Sequence, residues 1–171
     1  MTEAAIDAVF PLPAEDGIGD ARIAELYSAG AESTWVRVNF VSSIDGAATR
    51  QGLSGGLSND ADHRVFDILR RLCDVVLVGA GTVRAEGYGA MRVDEVSQRA
   101  RRSAGMTAHP VFAIVSASLD LDVSSPIFRE APERPIVVTT GLSREDARDA
   151  LAEVADVVVC GEERVEPRRL V

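Results

Sequence analysis

The chain has 171 residues, room for one ordinary domain, and 46% of them are hydrophobic, which favours a packed core over disorder. Its net charge of −9 is uneven: residues 1–33 hold seven acids and one base, and the remainder is close to neutral, which argues against nucleic acid as the main partner. All eighteen basic residues are arginine, so Schiff-base, P-loop and general-base lysines are excluded.

Residues 1–33 are expected to form an acidic N-terminal extension, with one domain over 34–171. The N-terminus lacks the basic patch and apolar core of a secretory signal, and no apolar run approaches the ~20 residues of a membrane span. No membrane partner and a cytoplasmic location are therefore expected. Asp20 is placed to cap a short helix with Ile23, Leu26 and Tyr27 on one side. Trp35-Val36-Arg37-Val38-Asn39-Phe40-Val41 alternates and predicts the first strand, followed by a Ser- and Gly-rich loop over 42–56.

Ser58 is placed to cap the next helix, whose apolar stripe is Ala61, Val65, Ile68, Leu69 and Leu72, with Asp60 and Asp62 in the first turn. Val75-Val76-Leu77-Val78 is a continuous apolar run, as in a strand buried on both faces. Gly79-Ala80-Gly81-Thr82 then turns into a short helix. A polar helix over 93–104, a strand over 111–115, a loop over 119–134 and a strand over 135–139 follow. Ser143 and Asp146 predict a capping-box variant for a helix through Glu153, before a last strand over 157–159. Strands alternating with helices imply an α/β fold with a mainly parallel sheet and right-handed crossovers. The strands ending at Val41, Val78 and Val115 are expected to be neighbours. Pro167 reads as the start of another helix, so the domain is expected to be incomplete at its C-terminus, with a sheet edge or face near 155–171 open to solvent or covered by another chain.

Ligands of open parallel sheets bind outside the carboxyl ends of the strands. Gly79-Ala80-Gly81-Thr82 lies at such an end. Its glycines let backbone N–H groups approach a phosphate, the following helix points its positive end there, and Thr82 adds a hydroxyl. The same turn also serves as a purely structural connection. Asp45, on the loop before Gly46, is either a turn former or an acid that orients substrate. Ser116 is either a turn serine or a ribose-phosphate ligand. Arg70 falls opposite the apolar stripe of its helix, the position of a solvated charge. Cys73 and Cys160 are far apart and lack a C-x-x-C pattern, and neither His63 nor His109 begins an H-x-E. A zinc deaminase module and other metal sites are not expected.

Two segments together resemble the pyrimidine reductase family of riboflavin biosynthesis: residues 38–48, with Ser42-Ser43-Ile44-Asp45-Gly46, and residues 76–89, with Gly79-Ala80-Gly81-Thr82-Val83-Arg84-Ala85-Glu86-Gly87-Tyr88-Gly89. The resemblance is to the reductase half of the bifunctional deaminase-reductase, and more narrowly to stand-alone actinobacterial members. It implies a dihydrofolate-reductase-like fold, hydride transfer from NADPH, and reduction of a phosphoribosylamino-pyrimidine from ribosyl to ribityl. By position it implies cofactor contacts at Ser42, Gly79, Gly81, Thr82, Glu86 and Ser116 or its neighbour, and substrate contacts at Ser54, Arg70 and Arg92. Asp45 is the catalytic candidate. The chain departs from the family pattern at Glu86, where many members have Asp, at Gly56, where many have Trp, and by a one-residue gap near Arg92. The family continues to a strand followed by Glu-Gly-Gly-Pro, not present here, so weak or no NADPH turnover by this chain alone is expected. A homodimer is implied, formed partly through the later part of the domain. A dihydrofolate or pteridine reductase on the same fold, and a non-catalytic binding or assembly module derived from such a reductase, are the alternatives.

Overall fold

The computed structural model describes residues 5–8, 13–28 and 34–170. The chain divides into two compact units, Met1–Leu72 and Cys73–Val171.

The first unit contains helices α1 (Asp20–Tyr27) and α2 (Asp60–Leu72). The two pack together, and Ile23 of α1 and Ile68 and Leu69 of α2 are buried. Both expected caps are corrected. Gly19 takes the N-cap position of α1 without a side-chain cap, and Asp20 pairs instead with Arg64 of α2. At α2 the Asp62 N–H donates to Asn59 Oδ1 (3.0 Å), while the Ser58 hydroxyl donates to the Asp62 carboxylate (2.7 Å). Asn59 and Ser58 are adjacent residues of equal capping ability, and Asn59 is the one that takes the role.

The strand expected at 35–41 is also corrected. Residues 34–43 have no helix or strand, and Trp35 and Phe40 are 64% and 85% exposed. Alternation makes a segment fit for a sheet, but a strand exists only through a partner's ladder. Among the described residues none pairs with this one, so the expected neighbour relation of Val41 with Val78 and Val115 is not found.

The second unit is built on β1 (Val75–Gly79), β2 (Val111–Val115), β3 (Ile136–Thr139) and β4 (Asp156–Val159), all parallel, in the order β1-β2-β3-β4. Helices α3 (Ala80–Glu86), α4 (Glu95–Ser103), α5 (Pro126–Arg129), α6 (Glu145–Ala152) and α7 (Pro167–Leu170) complete it. The order is sequential, so every right-handed crossover runs in the same direction and puts its connection on the same face. On that face Val76, Val78, Phe112, Ile114, Val137 and Val157 pack with Ala80 and Val83 of α3, Ile127 and Phe128 of α5, and Leu151 of α6. The opposite face is barer: Val75 and Leu77 are 44% and 47% exposed. This corrects the expectation of a β1 buried on both faces. Val158 and Val159 of β4 are exposed too, and among the described residues β4 pairs only with β3, so the sheet edge in the region 155–171 is open as expected.

Two further local readings change. The loop over 119–134 contains the single-turn α5, which starts on Pro126 and buries Ile127 and Phe128. The capping box at α6 does not form. Arg144 occupies the N-cap, Ser143 Oγ donates to the Thr140 carbonyl (2.6 Å), and Asp146 pairs with Arg144.

Candidate functional site

The carboxyl ends of β1 and β2 lie side by side, because Gly79 is in register with Val115. The turn 79–82 and Ser116 therefore meet at one end of the sheet. Gly79 is extended (φ −72°, ψ 142°) and gives α3 no side-chain cap. The first backbone N–H groups of α3 consequently have no helical acceptor and no capping side chain. A Cβ built on Gly79 or Gly81 would meet nothing within 4 Å, so both glycines face open space. Thr82 is exposed and Glu86, in the last turn of α3, is half-buried. Gly87 closes the helix in the left-handed region (φ 66°), its N–H donating to the Val83 carbonyl.

Ser116 is buried, and its hydroxyl accepts from the Leu119 N–H (3.0 Å) while its own N–H donates to the Val138 carbonyl (2.9 Å). The turn role is thus the one its hydroxyl performs. Its exposed neighbour Ser118 accepts weakly from the Asp120 N–H (3.4 Å). Arg92 is exposed on the loop between α3 and α4, and its Nη2 donates to the Glu130 carbonyl (2.6 Å).

The first unit holds the other expected site residues. Ser42 is exposed. Asp45 sits in a tight turn: Gly46 has φ 85°, the Gly46 N–H donates to the Ser43 carbonyl (2.9 Å), and the Ser43 hydroxyl donates to the Asp45 carboxylate. That hydroxyl, with the backbone N–H groups of Asp45 and Ala47, holds the Asp45 carboxyl below the usual carboxylate range. Asp45 is therefore ionised at neutral pH, suited to accepting hydrogen bonds and poorly suited to donating a proton. Arg50 and Leu53 exchange two backbone hydrogen bonds across Gln51 and Gly52, both at positive φ, and Ser54 follows this turn. Arg70 is not the solvated charge expected. Its guanidinium lies 4.1 Å from the centroid of the Phe66 ring, with Nη1 3.7 Å from Asp67 Oδ1.

Two residues given no role in the expected site hold neighbouring backbone groups. Arg101 is 1% exposed, and its Nε donates to the Thr107 carbonyl at 2.9 Å. His109 Nδ1 accepts from the Val93 N–H at 3.1 Å. The Thr107 carbonyl and the Val93 N–H are backbone groups, which leave no residue type to recognise in the sequence.

A four-stranded parallel sheet with helices packed on it defines an α/β domain, and in such sheets the carboxyl ends of the strands are where ligands bind. The chain belongs to the RibD C-terminal domain family, which residues 34–171 match. It is 28% identical over 133 residues to the 2,5-diamino-6-ribosylamino-4(3H)-pyrimidinone 5′-phosphate reductase of Archaeoglobus fulgidus, a match covering 77% of this chain and 60% of that protein. Its fold is similar to the crystal structure of a pyrimidine reductase-like protein from Corynebacterium diphtheriae, with TM-score 0.69 and 28% identity over 77% of this chain and 56% of the other. The chain thus spans about 60% of the curated relative's length. The α/β, dihydrofolate-reductase-like fold read from the sequence agrees with this likeness.

Proposed function

We propose that this chain supplies the NADPH-binding portion of a pyrimidine reductase of riboflavin biosynthesis, which reduces a phosphoribosylamino-pyrimidine from ribosyl to ribityl. The match of residues 34–171 to the RibD C-terminal domain family carries the reading. In that reading residues 1–33 are an extension and 34–171 belong to the reductase domain. When bound, NADPH would supply the hydride that reduces the ribosyl unit to ribityl.

The residues present fit such a cofactor. Gly79 and Gly81 leave space that a Cβ would fill, beside helix-terminal N–H groups that have no side-chain cap. In the second unit Gly79, Gly81 and Thr82 would hold the pyrophosphate, with Glu86 and the Ser116 turn as further cofactor contacts, and Arg92 would be a substrate contact. In the first unit Ser42 is the cofactor contact, and Ser54 and Arg70 the substrate contacts, that the family resemblance implies, the arginines suiting a phosphate. Asp45, ionised, orients a substrate donor group. The protein works in the cytoplasm as a homodimer.

Calorimetric titration of the protein with NADPH and with NADH tests the cofactor assignment. NADPH is expected to bind and NADH to bind more weakly. Equal affinity for the two, or no binding of either, overturns it.

A further inference from the structure

His109 stands at the entrance to β2 and has no part in the site described so far. Its ring is partly buried, and Nδ1 accepts a hydrogen bond from the Val93 N–H at 3.1 Å. The Val93 carbonyl accepts from Gln98 Nε2 at 3.1 Å, so side chains hold both backbone groups of Val93. On the other side of Arg92, Met91 is buried in the core of the second unit. The His109 carbonyl in turn accepts from the Thr107 hydroxyl at 2.6 Å, which fixes the histidine's own backbone. An arginine on a surface loop can present its charge at a defined place only if its backbone is held, and here both flanking residues are.

We propose that His109 is a positioning residue for Arg92: its neutral imidazole holds the Val93 amide and so keeps Arg92 ready for the phosphate of an incoming ligand. The phosphate role of Arg92 rests on the function proposed above. The hydrogen bond dictates the ring's state. A Val93 N–H facing Nδ1 requires that nitrogen to be an acceptor, so the single ring proton sits on Nε2. Protonation would place an N–H donor against the Val93 N–H and release the loop.

The surroundings keep the ring neutral. Burial opposes the imidazolium most, followed by the positive charge of Arg92, with smaller opposition from Arg101 and Arg102, and Glu133 works the other way. The balance lowers the His109 pKa below the ordinary imidazole value. At neutral pH the bond is intact, and acidification below that lowered value breaks it.

The test uses two readouts: the hydrogen-exchange protection of the Val93 amide by NMR, and the calorimetric affinity for ribose 5-phosphate. Both are taken near pH 7.5, about one unit above the ordinary imidazole value, and at a pH below the His109 value read by NMR titration of its ring, so that the second condition protonates it. In wild type, Val93 protection is expected to fall on acidification. His109→Ala is expected to lose about five- to tenfold in Val93 protection already at the higher pH, with a parallel loss of ribose 5-phosphate affinity. His109→Asn puts an amide oxygen where Nδ1 stood and cannot titrate. It is expected to keep Val93 protection at both pH values. Unchanged Val93 exchange in His109→Ala, a wild type insensitive to acidification, or His109→Asn behaving like His109→Ala would each overturn the proposal. Arg92→Ala separates the two claims. If it binds ribose 5-phosphate as wild type does while Val93 still responds to His109, the phosphate role of Arg92 fails and the hold of His109 on the loop stands.

Discussion

Arg101 of α4 reaches across the start of the sheet to Cys73, its Nη1 donating to the Cys73 carbonyl at 2.6 Å. Together with the Thr107 bond this ties the end of α4 to the chain entering β1. Arg101→Met keeps much of the buried stem but leaves both carbonyls without the guanidinium. The expected cost is about 2–4 kcal/mol, from lost charge-assisted bonds and carbonyls left buried without a donor. Urea denaturation followed by circular dichroism checks this; a loss under ~0.5 kcal/mol would mean that water replaces the guanidinium fully.

At Gly81 the expectation is a loss of binding with no loss of fold. Beyond its chain neighbours and its own helix, a Cβ there meets nothing within 4 Å, so the first atom of a side chain at Gly81 has room. Gly81→Val intrudes instead on the space assigned to the cofactor pyrophosphate. NADPH affinity is expected to fall at least about tenfold, equivalent to ~1.4 kcal/mol, with a melting temperature close to wild type. Unchanged affinity in the folded variant would remove the phosphate cradle from the site.

Asp45 offers a pH measurement. The Ser43 hydroxyl is the largest of the influences that lower its pKa. Its folded-state value lies below its unfolded value, so its support of the turn is present above about pH 4 and is lost as the pH falls through the depressed value. Ser43→Ala is expected to raise the Asp45 pKa toward its ordinary value, read by NMR titration of the carboxyl carbon. No movement would assign the depression to the backbone N–H groups alone.

The sequence made the second unit legible and the first much less so. β2 and the helix-facing residues of β1 follow from apolar runs bounded by turn residues, and the glycine turn after β1 stood out because glycines after a buried strand are a backbone signal. The exposure of Val75 and Leu77 was not legible, since it depends on where the connecting helices go, which the strand order decides. Trp35 to Val41 has the composition of a strand, but composition does not supply a partner. The caps were read one residue away from their actual places, because Ser58 and Asn59 are chemically equivalent candidates. The bond between His109 and Val93 was invisible for a different reason: a backbone N–H leaves no residue type to recognise. Arg70 was misread because the aromatic ring beneath it, Phe66, lies on its own helix just outside the apolar stripe.

The proposed reductase function is tested most directly by turnover. The protein is incubated with NADPH and 2,5-diamino-6-ribosylamino-4(3H)-pyrimidinone 5′-phosphate, with dihydrofolate as the competing substrate. Nicotinamide oxidation is followed alongside formation of the ribityl product. The proposed function predicts that NADPH oxidation, even if slow, matches ribityl product mole for mole, with none on dihydrofolate. Oxidation on dihydrofolate alone, or NADPH binding without ribityl product from either this chain or a longer polypeptide containing it, would contradict it.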